Sequence, residues 1–105
     1  MTFPQQYHAW IMWIGETTGL PDPILHIHAG LAVLLAARLL TGRPLGTFVP
    51  FAFVVAAEGA NEVLDYLNQG LNVTDTLSDI ANTLVWPFLL SLGLRLRPPR
   101  TGRKR

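Results

Sequence analysis

Hydrophobic residues fall along this chain in four helical stretches, separated by short polar or glycine-proline breaks. In the first, Tyr7, Trp10, Ile11 and Ile14 recur at i, i+3, i+4 and i+7 behind Pro4, which stands where helices begin; Gly19 and Pro21 end the pattern. The spacing predicts a short amphipathic helix over residues 4–17. At a reach of about 20 Å it cannot cross a hydrocarbon layer. Tyr7, Trp10 and Trp13 are of the type that favours a membrane boundary, so this helix is expected to lie in the interface. Packing against the other helices as an ordinary amphipathic element explains the same pattern.

The second stretch, 23–41, opens at Asp22-Pro23, a capping residue followed by a proline in the first turn, and stops at Gly42 and Pro44. Ala29, Ala32 and Ala36 give it a flat face. The loop 41–46 is short, so the third stretch, 47–67, should return antiparallel beside it, with Thr47 as its cap and Pro50 in its first turn. Ala52, Ala56 and Ala60 form a small-residue stripe on which membrane helices approach closely. At 100° per residue it lies nearly opposite a stripe of Glu58, Glu62 and Asp65, which predicts a packing face and a separate polar face. The fourth stretch, 75–94, is capped by Asn72 or Thr74 and contains Pro87, which should kink it below Asn82.

Charge decides where these helices live. The chain has 105 residues, half of them hydrophobic, no cysteine and a net charge of +1, which bounds it to one domain without disulfides. All eight Lys and Arg lie either at Arg38 and Arg43 or in the tail from Arg95 to Arg105, while five of the seven acidic residues lie between Glu58 and Asn82. The charge-free runs 23–37, 44–57 and 80–94 are shorter than the roughly 20 residues of a full span, so a soluble bundle is the alternative. Two features favour the membrane. Residues 29–37 and 48–57 are apolar on every side, and each run becomes a full span when extended toward its acidic end, which places every basic residue on one side of a bilayer. The expectation is an all-α integral membrane protein. It has three transmembrane helices preceded by a short amphipathic interfacial helix, and a basic, disordered tail at 95–105. No Lys or Arg precedes the first apolar residues and no small-residue cleavage site follows them, so insertion without cleavage is expected. The basic loop and tail face the cytoplasm, and the N-terminus and the 68–74 loop face outward. The tail contacts anionic lipid and fixes topology; nucleic-acid binding is not expected of a tail tethered there.

The candidate site is the acidic stretch. Glu58, Asn61, Glu62 and Asp65 share one helical stripe, as do Asp75, Asp79 and Asn82. Across an antiparallel hairpin Asp65 faces Asp75, Glu62 faces Asp79 and Glu58 faces Asn82. Helix-end complementarity and interhelical hydrogen bonds account for Asp75 and Asn82. They do not account for Glu58 and Glu62, since no Lys or Arg lies at that depth and buried charges cost several kcal/mol unless neutralised by a partner, a proton, water or a cation. Of the two histidines in the second stretch, which point about 160° apart, His28 is one turn before Ala32 and is expected to face inward. A lone His there is ordinarily a packing residue, but His28 with Glu62 and Asp79 would have the donors of a metal site. No cofactor is expected beyond a divalent cation held by these carboxylates.

At these residues the chain resembles the VanZ-like family of small bacterial membrane proteins, which carry a Glu-x-x-Gln late in one span and an Asp followed by an Asn at the start of the next. Glu58-x-x-Asn61 stands for the first motif, with Asn in place of Gln, and Asp79-x-x-Asn82 for the second; Trp86-Pro87 follows where the family has glycines. The resemblance covers residues 26–94 and implies a protein of the bacterial inner membrane linked to cell-envelope chemistry. Two functions follow. One is a site for a small cationic or envelope-related ligand or lipid headgroup, built from Glu58, Asn61, Glu62, Asp65, Asp79, Asn82 and His28. The other is a non-catalytic accessory subunit whose alanine stripe packs on a larger membrane complex. Three short helices expose most of their surface, so a homo-oligomer or a larger assembly is expected under either.

Overall fold

Thr2 and Gln5 cap the first helix reciprocally, each side chain bonding the other's backbone N–H, a signal the hydrophobic pattern did not contain. In the computed structural model, which describes residues 2–97, this helix, α1, runs Phe3–Thr18. It is followed by α2 (Asp22–Thr41), a 3-10 turn (Leu45–Thr47), α3 (Val49–Gln69) and α4 (Val73–Leu96), and the described residues contain no strand. Gly19 and Gly42 take the left-handed conformation that closes α1 and α2, where only glycine avoids a Cβ penalty. Asn72 caps α4 by accepting from the Asp75 N–H at 3.1 Å. Thr47 does not cap α3. The left-handed residue Phe48 holds that position, while the Thr47 hydroxyl donates to Pro44 O and accepts from Val49 N. Phe48 is held there by the rings of Phe51 and Phe88 and by the Arg95 guanidinium, which lies 5.7 Å from its ring centre and also donates to Gly46 O.

α2, α3 and α4 pack side by side, and α1 rests on α3. The faces that meet are not those the alanine stripes suggested. Ala29, Ala32 and Ala36 on α2, and Ala52, Ala56 and Ala60 on α3, are all exposed. Inward instead are Gly30, Leu34 and Ala37 from α2, Pro50, Val54 and Glu58 from α3, and Thr83, Pro87 and Ser91 from α4, spaced by three or four residues. The physical reason is Gly30. A Cβ there would strike the Thr83 carbonyl oxygen, so α2 and α4 cross with their backbones in contact, and that contact sets the rotation of both helices. On α3 the packing face and the acidic face are therefore one stripe rather than two opposite ones. α4 continues through the buried Pro87 as a single helix.

The small interior, with Leu34, Ala37 and Val54 at its core, also takes in polar side chains, and much of the surface is apolar. The buried polar side chains are Glu58, Thr83 and Ser91, while Leu35, Leu39, Leu40, Phe53, Leu77, Trp86 and Leu89 are exposed. α2 and α4 are each long and apolar enough to cross a membrane. α1 buries nothing fully and turns Trp10 and Trp13 outward; Tyr7, His8 and Ile11 form its contact edge. The basic tail expected from Arg95 onward begins inside α4, and its part beyond Arg97 lies outside the described residues.

Candidate functional site

The antiparallel order of the helices brings the N-terminal ends of α2 and α4 and the C-terminal end of α3 to one end of the bundle, and there the acidic residues gather around a cavity of about 1000 Å³. Its floor is the crossing of Gly30 and Thr83 with Val33 and Val54; its rim carries Tyr7, His8, Gln69 and Asn72. Arg38, Arg43 and Arg95 lie at the other end of the same helices.

His26 is the hub. Its Nδ1 lies 3.0 Å from the Thr83 hydroxyl and 3.8 Å from Glu58 Oε2; its Nε2 lies 3.3 Å from Asp79 Oδ1 and 3.4 Å from Asp22 Oδ2. One imidazole thus touches acidic groups from all three long helices. The expectation that His28 faces inward is corrected. His28 is exposed at the cavity edge, with its Nδ1 2.8 Å from Ile24 O on its own helix, because the Gly30 contact turns the row His26, Gly30, Leu34 toward the bundle and His28 away from it. A lone glycine in an otherwise apolar helix was the available signal, since it marks a close backbone approach.

Glu58, only 5% exposed, sits beneath this hub, and its Oε1 has no hydrogen-bond partner. Glu62 Oε1 is likewise buried and unpartnered. Glu62, Asp65 and Asp79 converge so that one carboxylate oxygen from each lies within 4.8 Å of the others, and the facing of Glu62 and Asp79 is as the hairpin pairing expected. Asn61 accepts a hydrogen bond of 2.5 Å from the Tyr7 hydroxyl, which ties α1 to the site, and the Gln69 amide reaches the His8 ring at 3.0 Å. Burial, with Asp65, Glu58 and Glu62 nearby, raises the Tyr7 phenol above its ordinary value, so it remains a neutral donor to Asn61. Asn82 does not join the cavity. It sits one residue out of register, bonded to Ser78 on its own helix at 3.3 Å, and Thr83 occupies the position opposite Glu58.

Chemically this is an anionic pocket: the carboxylates of Asp22, Glu58, Glu62, Asp65, Asp75 and Asp79 outnumber the imidazoles of His8, His26 and His28, and among the described residues neither Lys nor Arg lines the cavity. The sequence Thr83 hydroxyl, His26, Asp79 has the connectivity of a nucleophilic triad. Thr83 is buried against Gly30, however, so its hydroxyl is a strut between helices rather than a group that could receive a substrate. Family models, curated proteins and solved structures were all compared with this chain, and none matches it.

Proposed function

We propose that the chain is an integral membrane protein in which α2, α3 and α4 are three spans, α1 lies at the outer boundary, and the acidic cavity opens outward to take a small cationic ligand or the amine of a lipid headgroup. The exposed hydrophobic side chains support the membrane: an apolar surface of this extent promotes association in water, whereas lipid requires it. α3 carries Glu58, Glu62 and Asp65, but all three line the cavity, so its lipid-facing side is apolar. Asp75 and Arg95 are twenty residues apart on α4, about 30 Å, the thickness of a hydrocarbon core. Arg38, Arg43 and Arg95 then mark the cytoplasmic side. The resemblance to VanZ-like proteins, carried by Glu58, Asn61 and Asp79, adds the bacterial inner membrane and an envelope ligand to this reading; its fourth residue, Asn82, lies outside the cavity.

The observation that carries the cationic ligand is the charge mismatch: six carboxylates against three imidazoles, with no Lys or Arg among the described lining residues, and two buried carboxylate oxygens without a donor. A ligand that binds the folded state at a hundred times its Kd stabilises it by about 2.7 kcal/mol. Thermal unfolding of the full chain in neutral lipid nanodiscs, with ethanolamine, choline and divalent metal added separately, should show such a shift for at least one cation and lose it in Glu58→Gln. No shift with any of them refutes the reading.

The exposed stripe of Ala52, Ala56 and Ala60 favours a second reading, an accessory subunit docked on a larger membrane complex. Co-purification with such a complex that tolerates Glu58→Gln would select it.

A further inference from the structure

Two sets of side chains in the cavity each bring three ligand atoms within 4.8 Å of one another: Asp22, His26 and Asp79, and Glu62, Asp65 and Asp79. Asp79 belongs to both. Asp22 is exposed, whereas Glu62, Asp65 and Asp79 are all half-buried, so the second set is the one shielded from competing water. Three carboxylates this close repel one another unless a proton or a cation lies between them. Hard divalent cations bind oxygen at about 2.0–2.6 Å, so one such ion spans oxygens at these separations. An all-oxygen donor set selects that class over softer metals, which prefer imidazole and thiolate.

Acidic residues cluster on many surfaces without holding a metal, and Glu58 distinguishes this case. Its side chain is more than nine-tenths buried, it lines the same cavity, and its Oε1 has no hydrogen-bond partner. Glu62 Oε1, in the carboxylate set itself, is also buried and unpartnered. Buried acceptors without donors call for a shared proton or a positive charge within the cavity.

We infer that Glu62, Asp65 and Asp79 hold a hard divalent cation, with the Glu58 carboxylate supplying negative charge beneath it, an assignment that rests on the cavity being a cation site. His26 is a positioning residue: its Nε2, 3.3 Å from Asp79 Oδ1, orients the carboxylate, while its Nδ1 is anchored on Thr83. The deep side of the ion is thus fixed by protein, and its outward side faces the open cavity, where a further ligand can coordinate.

Manganese is the probe, because its free and bound forms differ by electron paramagnetic resonance. The full chain in phosphatidylcholine nanodiscs, which carry no anionic lipid of their own, should bind one Mn2+ per chain, displaced by Ca2+ or Mg2+. Asp79→Asn and Asp65→Asn should each weaken binding by roughly tenfold or more. Glu16→Gln, on α1 outside the cavity, should leave it unchanged. If Asp79→Asn does not fold, Asp65→Asn and Glu62→Gln carry the comparison. Saturable binding that survives these substitutions puts the ion elsewhere and overturns the assignment. Absence of saturable Mn2+ binding, with a Glu58-dependent thermal shift by choline or ethanolamine, overturns the metal and leaves the cationic-ligand reading standing. Failure of both removes both.

Discussion

Gly30 is the residue on which the geometry of the cavity depends. A side chain there meets the main-chain carbonyl of Thr83, which cannot swing aside as a flexible side chain would, so α2 and α4 must separate to admit even a methyl group. Overpacking of this kind costs roughly 1–3 kcal/mol. Gly30→Ala should lower the unfolding midpoint in nanodiscs accordingly, and Gly30→Val should lower it further. Gly59, which has open space around it, is the control: Gly59→Ala should be neutral or slightly stabilising, as alanine favours helix. Equal effects at the two positions would mean that the helices do not touch at Gly30.

Among the elements, register separates what the sequence contained from what it did not. The hairpin of α3 and α4 and the facing of Glu62 and Asp79 were legible because a short loop and a 3.6-residue period fix which residues share a height. The last step of rotation was not. Counting heights puts Asn82 opposite Glu58, but the Gly30 contact, made by a third helix, turns α4 so that Thr83 takes that place. The same rotation brings in His26 instead of His28 and leaves the alanine stripes outside; neither hydrophobic nor small-residue periodicity encodes it, and Gly30 is the one mark of it within α2. Cysteines at positions 58 and 83 should therefore crosslink under mild oxidation, and those at 58 and 82 should not. The reverse preference would restore the simple pairing.

For the whole molecule, Arg38, Arg43 and Arg95 lie at the opposite end of one bundle from the carboxylates of the cavity, and the orientation proposed above rests on that polarity. Single cysteines at positions 72 and 101 should react from opposite sides of an intact cell, position 72 with an impermeant reagent and position 101 only after permeabilisation. Labelling of both from outside would contradict a chain with an odd number of spans between them and the proposed topology with it. Under that proposed topology the functional tests gain a direction, since a ligand would reach the cavity from beyond the membrane.

The backbone contact between Gly30 and Thr83 also makes the bundle a lever. Gly30 is the fulcrum and Asp22 lies eight residues above it on α2, an arm of about 12 Å. A tilt of about 10° about that point moves the mouth of the cavity by about 2 Å while the floor stays still, and 2 Å is about the length of one metal–oxygen bond. The arm below the fulcrum is longer, eleven residues to Thr41 or about 16 Å, and swings by about 3 Å the other way, so the mouth cannot open without shifting the lower contacts of α2.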